Sequence, residues 1–521
     1  MPSMPATGQV LGLEGTAWNL SAALFDDDLL VLRSDPYRPQ TGGIHPREAA
    51  QHHAARMNDV IAPVLATGCN PSAVAFSQGP GLGPCLRTVA TAARSLAIAL
   101  GVPLVGVNHC LAHVEIGRFA TGCTDPVVLY ASGANTQVIG YLAGRYRVFG
   151  ETLDIGLGNA LDKFARSRGL PHPGGPAIEE LARNGGLVDL PYTVKGMDLA
   201  FSGLVTAASS SPAPLADVCR SLQETAFAMC VEVTERALAH AGKEVVLLVG
   251  GVGANLRLQE MLRTMCEDRG AAFYVPEPVY LGDNAAMIAY TGRLQAAHGM
   301  TVAVAESQVD PDFRIDQVPC PWRTDRPETF LRVVPRGAEA EVELGGTDAI
   351  KRRQPKRYRL PALDMRLRLE RTRSEARLLS AARRAGVATP VVRDIDGTTI
   401  VMERVEGAVL KAALNFGTVR AAGRAVGLLH EAGIVHGDLT SSNMVVRDGG
   451  VVLIDFGLAQ ASEEVEARGV DVHVFLQTLA SAAADPGPLA AAFAEGYRSA
   501  FPGADAVLER EVEIRRRGRY L

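Results

Sequence analysis

The chain has 521 residues, 47% of them hydrophobic and 21% charged, which excludes a largely disordered protein and leaves room for about three or four domains of ordinary size. Its formal charge of −5 conceals a split: residues 1–325 carry 23 basic and 31 acidic side chains (net −8), and residues 326–521 carry 29 and 26 (net +3), so two differently employed halves are expected. None of the eight cysteines forms a C-x-x-C pair and all lie in the first 320 residues, which excludes a thiolate zinc site and a disulfide scaffold and points to a cytoplasmic protein.

The N-terminal MPSMPATG has no basic region leading into an apolar stretch, so no signal peptide is expected. Strand-like runs rich in Val, Ile and Leu alternate with Ala/Leu helical patterns through residue 298, the signature of an α/β domain. Two stretches read as copies of one device. The first runs from Val10 to Thr16, then Leu20 to Phe25 and Leu29 to Leu32; the second from Val127 to Thr136, then Val138 to Tyr141 and Tyr146 to Phe149. Each is a buried strand, a turn of small and hydroxyl residues, and returning strands. Such a turn lets backbone N–H groups approach a phosphate closely. Two copies predict two related lobes facing a nucleotide cleft. Between them, the most apolar window, residues 88–107, contains Arg94 and Pro103 and predicts a buried helix running into a strand, with no segment spanning a membrane.

His109 and His113 are four residues apart, hence on one helix face and able to share a metal ion. A zinc peptidase would need the glutamate of H-E-x-x-H at position 110, which is Cys110, so that chemistry fits poorly. Further on, Val245 to Asn255 is a strand entering a glycine turn and then a helical run, a phosphate- or nucleoside-binding corner. Residues 301–330, with four prolines and little periodicity, read as a linker between a first domain at 1–300 and a second at 331–521.

Six motifs fall in order along the first domain: SGANTQ, Asp154 to Phe164, Pro171 to Pro176, Phe201-Ser-Gly203, GGVGAN, and Gly282 to Met287. On these, residues 8–298 resemble the catalytic subunit of tRNA threonylcarbamoyladenosine synthesis in its KEOPS form. The resemblance implies the two-lobed actin-like ATPase fold, α/β throughout. It also implies metal ligands at His109, His113, Tyr130 and Asp283, holding one Fe(II) or Zn. The threonylcarbamoyl-AMP intermediate would lie against Tyr130, Ala131, Ser132, Gly133, Ala134, Asp162, Gly175, Glu179 and Asn255. Ala134 replaces a second glycine of the family pattern, and its methyl is tolerable only at negative φ. The implied reaction transfers the threonylcarbamoyl group to the exocyclic amine of the adenosine beside the anticodon of ANN-decoding tRNAs.

The second domain has its chemistry in the order a kinase fold requires. Val334, Gly337 and Val342 mark a strand-turn-strand over ATP phosphates; Lys351 would contact the phosphates; Glu375 would pair with Lys351. Asp438 of His436-Gly-Asp438 would orient the acceptor as the catalytic residue, and Asn443 and Asp455 would hold Mg²⁺. Gly437 stands where protein kinases have arginine, and only 13 residues separate Gly457 from Asp471, too few for a substrate-docking segment. GAEA, the run from Lys351 to Asp364 and HGDLT resemble the small atypical, RIO-like kinase of the same KEOPS complex, implying an α+β bilobal domain in which ATP and Mg²⁺ support the transferase. Residues 351–384 hold 13 basic and three acidic side chains, and the C-terminus adds four arginines. For a tRNA-modifying protein these mark phosphate contacts at Arg353, Lys356, Arg357, Arg515, Arg516, Arg517 and Arg519. The expected partners are therefore tRNA, threonylcarbamoyl-AMP and the other small KEOPS subunits, with neither DNA nor membrane. Two other readings stay open at this level: a metallopeptidase resting on the histidine pair, and a signalling protein whose kinase domain phosphorylates a partner.

Overall fold

A computed structural model of the chain describes residues 8–39, 43–142, 144–323, 339–483 and 485–517. They divide into two compact units.

The first unit is built on a repeated sheet. Strands β1 (Val10–Glu14), β2 (Asn19–Phe25) and β3 (Leu29–Pro36) form an antiparallel meander. Helix α1 (Pro46–Leu65) leads into β4 (Ala73–Gly79), and α2 (Gly83–Leu100) into β5 (Leu104–Asn108). Both of these strands add in parallel, giving the order β3-β2-β1-β4-β5. Helix α3 (His109–Thr121) follows β5 without a loop, and the pattern then repeats. Strands β6 (Val127–Ala131), β7 (Thr136–Leu142) and β8 (Arg145–Glu151) form the second meander. Next in the chain come α4 (Leu157–Ser167), α5 (Gly174–Ala182), a short ribbon of β9 (Val194–Lys195) and β10 (Asp198–Leu199) whose residues 194–198 group with the second unit, α6 (Ser202–Ser210) and α7 (Leu215–Ala241). Strand β11 (Val245–Val249) and, after α8 (Leu256–Arg269), β12 (Ala272–Tyr274) add in parallel beside β6. The second sheet, β12-β11-β6-β7-β8, thus has the same internal arrangement as the first. The paired strand-turn-strand devices of the sequence are these two meanders. Their first strands, β1 and β6, are wholly buried, which is why both read as uninterrupted apolar runs rather than alternating ones. Short α9 (Pro278–Leu281) and α10 (Ala285–Ala297) close the unit, α10 packing on β1, β2 and β4.

Residues 301–323, expected as linker, are part of this unit. Val302 bridges to Leu104, Asp310 N–H donates to Gln78 O at 2.9 Å, and Asn108 Nδ2 donates to Phe313 O at 2.9 Å. Ile315, Val318 and Cys320 are buried with Leu111, Tyr130 and Tyr146. Arg323 is buried over the Tyr141 ring, 4.2 Å from its centroid, and donates to the Tyr146 hydroxyl at 2.5 Å and to Asp125 at 3.2 Å. Prolines suppress helical and strand periodicity without preventing a segment from packing as irregular chain, so a proline-rich run need not be a spacer.

The second unit opens on the sheet β13 (Ala340–Leu344), β14 (Asp348–Arg353), β15 (Val392–Asp396) and β16 (Thr399–Glu403), in the order β13-β14-β16-β15, with α11 (Pro361–Arg384) packed on β15 and β16. Strand β17 (Ala408–Val409) leads to a mainly helical half. It contains α12 (Phe416–Glu431), β18 (Ile434–Val435), β19 (Met444–Arg447), β20 (Gly450–Leu453), β21 (Gln460–Ala461), α13 (Val465–Ala482), α14 (Gly487–Arg498) and α15 (Ala504–Arg517). Helices α12 and α14 pack so closely that a methyl at Gly423 would meet Phe493 O at 2.1 Å, and one at Gly496 would meet Arg420 O at 1.9 Å.

Because Arg323 fills a buried slot between two tyrosine rings and a carboxylate, Arg323→Ala should destabilise the first unit by about 2–3 kcal/mol. Calorimetry of the full chain should show its transition falling by several degrees.

Candidate metal and nucleotide sites

Helix α3 begins at the end of β5, and its first residue is His109. Asn108 caps it, its side-chain oxygen accepting from Leu111 N–H at 2.9 Å. One turn on, His113 faces the same way, the two rings meeting edge to face with centroids 4.9 Å apart. Asp283 arrives from the turn before α10, its backbone oxygen held by Asn19 Nδ2 at 2.7 Å and the next residue, Asn284, capping that helix. One carboxylate oxygen of Asp283 lies 3.4 Å from His109 Nε2 and 3.2 Å from His113 Nε2. These three residues offer ligand atoms all within 4.8 Å of one another.

Tyr130, on β6, completes the expected set. Its ring centroid lies 5.0 Å from that of His113, and its hydroxyl is fully buried with no hydrogen-bond partner among the described residues. Burial, with the neighbouring Cys110 and Asp283, pushes its phenol well above the ordinary range. His113 Nδ1 is also buried and unpartnered. An orphaned hydroxyl beside two imidazoles and a carboxylate is the mixed N/O donor set that a transition-metal ion satisfies, so the residues present fit the implied ion. Burial disfavours charge on His109, but the Glu14 and Asp283 carboxylates outweigh it and raise the imidazole to about 10. Burial acts the opposite way on Asp283, yet the two histidines draw its carboxyl far below its usual value.

Glu14 was not among the residues picked out from sequence. It ends β1, is fully buried, accepts from Thr16 N–H at 2.7 Å and Thr16 Oγ1 at 2.6 Å, and lies 3.2 Å from His109 Nδ1. By engaging Nδ1 it leaves Nε2 turned toward Asp283, the orienting role that outer carboxylates play around metal-binding histidines. The available signal was a charged residue ending an otherwise apolar buried strand.

The second part of the site is a corner of small residues. The turn Ser132–Asn135 is held by α4, whose Gly158 and Asn159 N–H groups donate to Ser132 O and Gly133 O at 3.0 and 2.9 Å. A methyl at Gly156 would come within 2.4 Å of the Ala134 backbone, so glycine is required there. Ala134 itself is exposed and is not among the described non-glycine residues with positive φ, so its methyl is accommodated. Gly250, at φ +92°, brings the third glycine turn against Ala131, where a Cβ would lie 2.4 Å from the carbonyl oxygen. Gly175 is open, with nothing within 4 Å of a Cβ position.

The polar residues expected against the adenylate also hold the framework. Asp162 accepts from Gly174 N–H at 2.6 Å and Glu179 from Leu256 N–H at 2.9 Å. The Asn255 side chain caps α8, accepting from Arg257 and Leu258 N–H and donating to Gln223 Oε1 at 3.1 Å.

In the second unit, Lys351 Nζ donates to Glu375 Oε1 at 2.6 Å and to Asp455 Oδ1 at 2.7 Å. Desolvation disfavours its charge, but the Asp455 and Glu375 carboxylates prevail and raise it. Asn443 Nδ2 donates to Asp438 Oδ2 at 2.9 Å. Asp471, buried in α13, accepts from His436 and Gly437 N–H at 2.6 and 2.8 Å, holding the His436–Asp438 turn from behind. Gly437 sits at φ +78° with Leu458 O 2.4 Å from a Cβ position. Glycine here is a steric requirement as well as the absence of an arginine. Val342 lies on β13, more than half exposed; Val334 and Gly337 fall outside the described residues.

One expected tRNA contact is corrected. Arg353 is 4% exposed and donates to Glu375 Oε2 at 2.7 Å and Glu339 Oε2 at 3.0 Å, so it belongs to the ion-pair network of Lys351, Glu375 and Asp455. Lys356 is half-buried, while Arg357 and Arg515 are exposed. The side chains of Arg516 and Arg517, and all of Arg519, lie outside the described residues.

Residues 29–290 match the family described as tRNA N6-adenosine threonylcarbamoyltransferase, and residues 351–470 match the RIO domain. The whole chain is 69% identical over 523 residues to a protein of Methanoculleus marisnigri, with 99% of each chain covered. It is 63% identical to one of Methanospirillum hungatei, again with 99% of each covered, and 51% identical to one of Halobacterium salinarum, with 98% of each covered. All three relatives carry the name probable bifunctional tRNA threonylcarbamoyladenosine biosynthesis protein.

Elemental analysis of the purified chain should find one transition-metal ion per molecule, and His113→Ala or Asp283→Asn should reduce that occupancy at least tenfold. Full occupancy in both variants would place the ion elsewhere.

Proposed function

The chain belongs to the family of bifunctional tRNA threonylcarbamoyladenosine biosynthesis proteins, a transferase domain joined to a RIO kinase domain, and on that premise we propose how its residues divide the work. The first unit takes threonylcarbamoyl-AMP and tRNA. The exocyclic amine of the adenosine beside the anticodon attacks the carbamoyl carbon; an N–C bond forms, the C–O bond to the phosphate breaks, the amine loses a proton and AMP leaves. The observation carrying this reading is the buried His109–His113–Asp283 cluster with the orphaned Tyr130 hydroxyl. Tyr130 is also the strand residue that runs into the Ser132–Asn135 turn, so the ion site and the phosphate turn are joined by covalent chain.

His109, His113, Tyr130 and Asp283 would hold the ion, Fe(II) or Zn, which would supply positive charge against developing negative charge on the intermediate. Glu14 fixes the His109 ring. Ser132 N–H is committed to Asn135 O at 2.8 Å, so the backbone N–H groups of Gly133 and Ala134 would take the adenylate phosphate, and the glycines at 156, 158 and 250 keep side chains out of that corner. Gly175, Asp162, Glu179 and Asn255 contribute the nucleoside side, the last three while tying α4, α5 and α8 together. The donor set serves binding and orientation rather than peptide hydrolysis. At the position where a zinc peptidase has its glutamate base stands Cys110, a buried thiol pushed up to about 12.

In the second unit Lys351 holds ATP phosphates, Asn443 and Asp455 hold Mg²⁺, and Asp438 orients the attacking group. Helix α13 starts at Val465, eight residues after Gly457, which favours turnover of ATP in support of the transferase over docking of protein substrates. Small subunits of the KEOPS type complete the assembly in the cytoplasm. Among the described residues no helix is long and apolar enough to cross a membrane.

His109→Ala should lower formation of threonylcarbamoyladenosine at least a hundredfold, assayed with bicarbonate, threonine, ATP, an adenylate-forming enzyme, unmodified tRNA and the partner subunits. ATP hydrolysis should stay within about twofold. Asp455→Ala should do the reverse to hydrolysis, removing it while metal occupancy is retained. Equal loss of both activities in His109→Ala, or hydrolysis that survives Asp455→Ala, would overturn this division.

A further inference from the structure

Of the 13 basic residues between Lys351 and Arg384, the structure commits many to carboxylates. Lys351 and Arg353 share Glu375, Arg352 pairs with Glu343, Arg359 and Arg368 with Asp364, and Arg371 with Glu339. Three arginines of α11 are left over. Arg373, Arg377 and Arg384 are exposed, and among the described residues none makes an ion pair or a side-chain hydrogen bond.

Their spacing places them together. At 3.6 residues per turn, positions 373, 377 and 384 fall within about 40° of one another around the helix and span roughly 16 Å along it. Around this stretch the residues α11 buries, among them Glu375, Leu378, Leu379 and Ala382, lie on the opposite side. Two of the three acids of the helix, Asp364 and Glu375, are buried and already paired; only Glu370 is exposed, one turn before Arg373. The result is a linear row of free guanidinium groups on a rigid, 24-residue helix.

We propose that the outward face of α11, through Arg373, Arg377 and Arg384, binds the phosphate backbone of tRNA. This rests on the reading of tRNA as the substrate. A row of like charges is costly in an unliganded protein and matches a polyanion whose charges also run in a line, whereas a compact ligand could engage only one or two of the three. The contact would position tRNA and add affinity without reading its sequence. It assigns the phosphate-binding role of this basic segment to its exposed arginines and not to the buried Arg353.

The test is equilibrium binding of unmodified tRNA to the full chain across 50–200 mM salt, comparing wild type with the triple variant Arg373→Gln/Arg377→Gln/Arg384→Gln. None of the three touches the nucleotide or metal site, so tRNA-independent ATP hydrolysis should be unchanged and serves as the folding control. The variant should bind at least tenfold more weakly at 50 mM salt, and its slope of log K against log salt should flatten by about two to three, one per lost phosphate contact. The triple lysine variant should restore the slope. An unaltered slope and affinity in the glutamine variant, with wild-type binding intact, overturns the proposal alone; so does loss of an acidic partner subunit with tRNA binding kept. Failure of wild type to bind tRNA at all overturns the substrate reading and the proposal together.

Discussion

Two imidazoles and two carboxylates, from His109, His113, Glu14 and the partly exposed Asp283, are packed against one another in the first unit, largely out of water. Desolvating that many ionisable groups costs several kcal/mol each unless every charge meets a partner, so the elements carrying them must be held to within a few tenths of an ångström. Much of the surrounding structure follows from that demand. Asn108 and Asn284 cap α3 and α10 at the residues beside His109 and Asp283, and Asn19, the first residue of β2, grips the Asp283 backbone. Residues 301–323 then pass under α3, touching it through Asn108 and burying Ile315 beside Leu111 and Tyr130. A cavity or a slipped cap would be felt here first, as displaced ligands rather than as unfolding.

The second unit meets a related demand by sharing. One carboxylate, Glu375, serves two cations, Lys351 on one oxygen and Arg353 on the other. If nucleotide draws Lys351 toward its phosphates, Glu375 keeps its second partner, so α11 does not depend on ligand for its position. Asp471 plays the same steadying part beneath the His436–Asp438 turn, receiving two backbone N–H groups that would otherwise lack partners. With α13 beginning so soon after Gly457, the usual kinase device of ordering a long segment has no material to act on.

The fold was legible from the sequence where patterns are local. The two meanders, the glycine turn before α8, the histidine pair at one helical spacing and the Lys351–Glu375 pairing all stand as expected. Residues 301–323 resemble a spacer in sequence because proline removes periodicity, and periodicity is the signal by which packed chain is told from spacer. Glu14 carries no such flag, since a single glutamate in a strand has no spacing. Charge density along the chain marks Arg353 as a phosphate contact because it omits the acids, Glu339 and Glu375, that fold back to meet it. The cap that Asn255 makes on α8 is visible only once the helix start is located within a residue.

What the sequence by itself determined is the kind of chemistry and its order: which side chains can bind a metal, where glycine lets backbone approach a phosphate, and which acids and amides follow the kinase-like pattern. These follow from residue type and short spacing, which survive in one dimension. Only the tertiary structure decided which charges are spent and which remain available. Arg353 and Arg373 are the same residue type on neighbouring elements, yet one is sealed between two carboxylates and the other stands unpaired in water. The physical reason is that pairing and desolvation depend on groups brought together from distant parts of the chain, so the free energy of a charge is a property of its surroundings.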